Sequence, residues 1–166
     1  FALLDFGLGR SLTLEVARRL ALETVDDIAP MVQGTLLILG LAGLTASLVL
    51  LVAREPALDA LAIPLALRGE VAAAIVGVAV AAPFMTLSAG LRGVLEAYGR
   101  FDLANAVRVP LGVFTYLGPA LVLPFTTSVA AAVAALAGVR VVGTVALLAL
   151  VRRQVPRGRG WHVEWH

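Results

Sequence analysis

Cysteine and lysine are both absent from the 166 residues. Without Cys there is no disulfide, no thiolate zinc site and no cysteine nucleophile. Without Lys, all thirteen basic residues are Arg, a compositional bias that carries no functional content of its own. Histidine is nearly missing too: His162 and His166 both sit in the last five residues, with no serine paired to them. Charge is scarce, at 14% of residues against roughly 25% in a soluble domain, and 60% of the chain is hydrophobic. That balance points to a membrane protein. A net charge of +2 is too small to argue for nucleic acid as a partner. Residues 1–30 lack the basic, apolar and small-residue succession of a signal peptide. The chain opens on Phe1 rather than Met, so it is expected to be an excerpt of a longer protein.

What is present is a series of long apolar runs. A bilayer core about 30 Å thick requires roughly 20 apolar residues in a helix. Residues 31–53 supply 23 without a charge, and residues 71–91 supply another 21. Residues 109–128 form a third run containing Pro110, Pro119 and Pro124, and residues 128–151 form a fourth, interrupted by Arg140. Residues 1–17 read as the tail of an earlier span. The expected fold is therefore an all-α membrane protein, a polytopic helix bundle with about four full transmembrane helices and one truncated helix.

The arginines set an expected orientation, because cytoplasmic connections are enriched in them. Arg18, Arg19, Arg100, Arg152, Arg153, Arg157 and Arg159 fall in one set of alternating loops, and Arg54 and Arg68 in the other. The first set is assigned to the inside. "REPALDALAIPLALRGE" is long enough for a short amphipathic helix at the outer surface, and "TTS" at 126–128 reads as a tight turn between antiparallel neighbours. Gly40, Gly43 and Ser47 make a small-residue ridge, read as a packing seam.

Polar residues within the runs are the candidates for function. A charge at the bilayer centre costs about 2.5–3.5 kcal/mol on insertion scales, so each needs a partner, a wet cavity or a route to the interface. Arg140 lies near the middle of its run, too deep for easy snorkelling, with Thr144 at i+4 on its face. Asn105, Arg108, Gly112 and Thr115 fall on one helical face. Ser88, Arg92 and Glu96 recur every four residues, so Arg92 either pairs with Glu96 or faces a cavity. Asp5, Gly9 and Thr13 share a face, where Asp5 would offset the arginines of neighbouring helices. "RGRG" at 157–160 is read as the basic flank of a span rather than an RNA contact. "HVEWH" is not read as a metal site, for want of other ligands, and "GLG" at 7–9 is not a dinucleotide fingerprint.

Two segments, "LLDFGLGRSLTLEVARRL" and "LRGVLEAYGRFDLANAVRVPLGVFTYLGPALVL", carry a resemblance. Through Asp5, Gly7, Gly9 and Arg10, then Arg92, Gly93, Glu96, Arg100, Phe101, Asp102, Asn105 and Arg108, the chain resembles the polysaccharide-export flippases of the multidrug/oligosaccharidyl-lipid/polysaccharide superfamily. The resemblance implies two helical lobes around a central cavity. Residues 1–153 would be part of the N-terminal lobe, from helix two to helix six, and 154–166 a cytoplasmic tail leading to a second lobe. It also implies a transporter of the inner membrane rather than an enzyme, moving lipid-linked oligosaccharide by alternating access without cofactor or metal. Its partners would be that substrate, membrane lipid and the second lobe.

On this reading Arg140, Arg108 and Arg92 would bind a pyrophosphate, since guanidinium forks take phosphate oxygens in pairs. Asn105, Thr115, Tyr116 and Thr144 would donate hydrogen bonds, and Asp5 would balance cavity charge. The rival readings are a cation-coupled drug antiporter of the same superfamily, an enzyme acting on lipid-linked sugar, and a structural bundle without a substrate. The natural lack of Cys makes the topology directly testable by single engineered cysteines and a membrane-impermeant thiol reagent. Positions within 152–160 should be labelled only from the cytoplasmic side, and labelling from the outside would reverse the assignment.

Overall fold

The computed structural model of the chain describes residues 8–22, 28–122 and 128–154, and every regular element among them is a helix. The order is α1 Leu8–Ala21, α2 Ile28–Val52, α3 Arg54–Ala60, α4 Leu65–Ala97, α5 Phe101–Val122 and α6 Val129–Gln154. The fold is an all-α helix bundle. Three helices, α2, α4 and α6, are long and apolar enough to cross a membrane. At 22 residues α5 also has the length of a span, although Asn105 and Arg108 interrupt its apolar run. It begins at Phe101, eight positions before the apolar stretch that starts at residue 109.

Surface chemistry agrees with that reading. Around α2, Ile38, Leu41, Leu44, Leu48 and Val49 are all more than half exposed. A continuous apolar surface of this kind is costly in water and is at home in hydrocarbon. The helix is apolar on nearly every side, as a lipid-bathed helix is.

Close approaches between helices fix their directions. Gly43 of α2 faces Pro83 of α4, and Gly90 of α4 faces Leu39 of α2, so these two run antiparallel. Gly77 meets Val133, and the Thr144 hydroxyl lies 3.0 Å from the Phe84 carbonyl oxygen, so α4 and α6 run parallel. Gly143 meets Leu111, and Gly118 meets Leu136, so α5 and α6 are antiparallel. Two parallel helices cannot be joined by a tight turn, and α5 is the return stroke between them.

The turns are built from local capping. After α4, the Arg100 amide donates to the Leu95 carbonyl and the Gly99 amide to the Glu96 carbonyl, with Gly99 at φ +68. That is a Schellman motif, in which glycine takes the left-handed position at no steric cost. The same pattern closes α3, where Ala62 and Ile63 donate to Asp59 and Leu58. There the left-handed position is filled by Ala62, at φ 49, which strains its Cβ. The seven-residue α3, with Arg68 ion-paired to Asp59 beside it, forms the elbow between α2 and α4.

The main core lies at one end of the bundle. Leu12 and Val16 of α1, Ile28 and Val32 of α2, Leu91, Val94 and Leu95 of α4, Ala104 of α5, and Leu147 and Val151 of α6 bury one another there. Arg18, Arg19, Arg100, Arg152 and Arg153 cluster along the chain at this same end, and Arg54 and Arg68 at the other.

The seam between α2 and α4 is tightest at Gly43, where an added Cβ would stand 2.5 Å from Pro83 Cα and 2.5 Å from Thr86 Oγ1. Backbone on one side leaves little to yield. Gly43→Ala should therefore destabilise the bundle by about 1–3 kcal/mol in reversible unfolding from mixed micelles. Gly34→Ala, with no atom near its added methyl, should be neutral or slightly stabilising. Equal effects of the two would contradict the seam.

Candidate functional site

A polar cavity of about 190 Å³ opens between α4, α5 and α6, lined by Ser88, Arg92, Arg108, Leu111, Gly112, Thr115, Arg140 and Leu147. Each helix contributes one arginine. On α4, the four-residue spacing puts Ser88 and Arg92 on one face, and Arg92 Nε donates to the Ser88 carbonyl at 3.3 Å. On α5, Arg108, Gly112 and Thr115 share the face turned to the cavity. On α6, Arg140 lies roughly 16 Å from the first residue and roughly 21 Å from the last, at 1.5 Å per residue.

Electrostatically the cavity is one-signed. Among the described residues, neither Arg108 nor Arg140 has a carboxylate within ion-pair distance. The ion pairs that do form lie near helix ends, such as Arg19 with Glu15 at 3.0 Å and Arg54 with Glu55 at 2.7 Å. Gly112 and Thr115, on the same face of α5 as Arg108, are a bare backbone position and a small side chain, which leaves room beside its guanidinium.

The hydroxyl groups are less available than their positions in the sequence suggest. Thr115 Oγ1 donates to the Leu111 carbonyl at 2.7 Å, and the Ser88 hydroxyl donates to the Met85 carbonyl at 2.9 Å. Both protons are returned to the helix backbone, so these groups meet a ligand as acceptors. Thr144 is buried and does not line the arginine cavity. Its hydroxyl lies between the Phe84 carbonyl at 3.0 Å and the Arg140 carbonyl at 2.8 Å, which makes it a tie between α6 and α4. Asn105 is exposed, one turn below Arg108 and off the cavity wall, and Tyr116 is exposed on α5 away from it. Asp5 lies outside the described residues, as do the "RGRG" and "HVEWH" segments. The hydrogen-bond donors turned into this cavity are therefore guanidinium groups.

Arg100, just before α5, and Asp102, in its first turn, meet with bonds of 3.1 and 3.2 Å. The bond from Arg100 holds the Asp102 carboxyl below the usual carboxylate range, and Asp102 in turn raises Arg100. Both are exposed, so the pair marks the end of the bundle rather than the cavity. Among the described residues no cluster of His, Asp or Glu could hold a metal ion. The apolar walls, Leu111 and Leu147, escaped notice in the sequence, although they fall at i+3 from Arg108 and i+7 from Arg140.

Compared with family models, curated proteins and solved structures, the chain matches none. The site is therefore read from its own geometry. An arginine placed for its own structural pairing stabilises the fold, whereas one held open for a ligand costs stability. Arg140→Leu should accordingly raise stability by about 1–3 kcal/mol, measured by reversible unfolding in micelles. A loss of stability would mean that a fixed partner holds the guanidinium.

Proposed function

We propose that this chain forms part of the N-terminal lobe of a multi-pass inner-membrane flippase. Its substrate is a lipid-linked oligosaccharide, a polyprenyl-diphosphate sugar, moved across the membrane for surface polysaccharide synthesis. The observation that carries the reading is the convergence of Arg92, Arg108 and Arg140, one from each of three helices, on a single cavity.

A diphosphate headgroup cannot cross hydrocarbon, because its charges lose their hydration there. Guanidinium groups suit such a load. They stay charged at any depth, and each offers a planar fork to two phosphate oxygens. Arg108 and Arg140 also gain from the encounter, since the anion supplies the counter-charge that neither has among the described residues. The protein performs no covalent chemistry on this reading. It provides a polar path, and rocking of the lobe presents that path to alternate sides of the membrane. Pro83 within α4 and Pro110 within α5 break the backbone hydrogen-bond ladder near the cavity and supply the bending points.

A cation-coupled drug antiporter needs acidic residues where this cavity has arginines, and an enzyme needs an acid–base pair. Neither is present among the described cavity residues. The resemblance carried by "RFDLANAVR", which ends on Arg108, also supports the flippase reading.

The test is export of surface polysaccharide by the full-length parent protein in cells that lack the native copy. Arg108→Ala and Arg140→Ala should each reduce export at least tenfold at unchanged protein level, with Arg140→Lys restoring part of it. Normal export by both alanine variants would remove the arginine cavity from the mechanism.

A further inference from the structure

The arginine cavity has an apolar neighbour. A groove of about 490 Å³ runs along α5 and α6, lined by Val107, Pro110, Phe114, Gly138, Val142 and Ala146 among others. Leu111 belongs to both spaces. At 100° per residue, Arg108, Gly112 and Thr115 lie on one flank of Leu111, and Val107, Pro110 and Phe114 on the other. The two spaces therefore open on opposite flanks of the α5–α6 seam. The groove side carries Phe114 at 47% and Val142 at 69% exposed, a surface suited to hydrocarbon.

The partition between them is thin. Leu111 rests against Gly143, so closely that a Cβ on Gly143 would stand 2.6 Å from both Leu111 methyl carbons. At this level α6 contributes only backbone, and the leucine side chain fills the gap. A rotation of one side chain, without separation of the helices, would join the groove to the cavity.

A lipid-linked substrate imposes a condition that such an arrangement meets. Its headgroup must sit in a polar chamber while its chain stays in hydrocarbon, so the chamber wall must open sideways to an apolar track. We infer that the groove on the α5–α6 flank holds the isoprenoid chain of the same lipid whose diphosphate occupies the arginine cavity, with Leu111 as the movable partition. The inference rests on the flippase reading and adds where the chain lies. The charge beside the groove selects its occupant: a polyprenyl diphosphate is drawn to this seam by three arginines, whereas a bulk phospholipid chain has no reason to prefer it to other lipid-facing surface.

The experiment uses the full-length parent protein in nanodiscs of bacterial phospholipid. A photoreactive benzoylphenylalanine replaces Val142 in the groove or Leu48 on α2, two residues of similar exposure, at 69% and 62%. The probe is a radiolabelled polyprenyl diphosphate, and its retention by the protein is measured alongside cross-linking. The expected result is at least fivefold stronger cross-linking at position 142 than at 48, falling to the level of 48 when Arg108→Ala and Arg140→Ala are combined. Arg-dependent retention with equal cross-linking at the two positions would overturn the groove while leaving the headgroup reading in place. Retention indifferent to the arginines would overturn the headgroup reading and this inference with it. Surface positions are chosen so that the modified side chain does not enter the packed core.

Discussion

A guanidinium group halfway along a membrane-length helix is an expensive object, and the arrangement of α4, α5 and α6 gives the one on Arg140 a chamber that it shares with Arg92 and Arg108. Charge at that depth is tolerable if it reaches the interface, pairs with a carboxylate or faces a wet space. Arg140 is too far from either end of α6 for the first, and neither it nor Arg108 has the second among the described residues. What remains is the third, and the helices are placed to provide it. Parallel packing of α6 on α4, with Thr144 level with Phe84, sets Arg140 more than two turns along the bundle from Arg92, and both line one chamber. The antiparallel return of α5 brings Arg108 to the same chamber from its own lower half.

Much of this was legible in the sequence because a membrane helix has few ways to be apolar. The uncharged run 31–53 reads directly as α2, and Gly40 and Gly43 read as a seam because small residues have little other use on such a helix. The period of Arg108, Gly112 and Thr115 likewise gives a face without further information. A helical wheel, however, gives an angle and not a neighbour. Thr144 stands one turn from Arg140 on the same side, yet it turns to the Phe84 carbonyl, because the parallel packing of α4 occupies that side at that height. Asn105 shares the angle of Arg108 but lies below the chamber floor. Hydroxyl donors were also overcounted from sequence. In an apolar setting, Ser88 and Thr115 return their protons to the carbonyls one turn back, where the acceptor is always within reach.

Small residues divide the labour among the seams. Gly43 admits the backbone of α4 around Pro83, so the α2–α4 contact is rigid and close. Gly143 admits a leucine side chain instead, so the α5–α6 contact is close but yielding. The same residue type therefore makes one contact that resists change and another that accommodates it. The difference lies in what stands opposite.

The 33-residue α4 is about 50 Å long, against about 30 Å of hydrocarbon. Its surplus is not left in water. The last turns, through Leu91, Val94 and Leu95, are wrapped by α1 and by the near ends of α2, α5 and α6 in a core of the kind soluble proteins build. The molecule thus joins two solvents' worth of folding rules in one rod: lipid holds its shaft, and the ordinary aversion of leucine and valine for water grips its foot. Ser88 and Arg92 stand in or beside those same last turns, so the part of α4 that walls the chamber is the part the foot anchors.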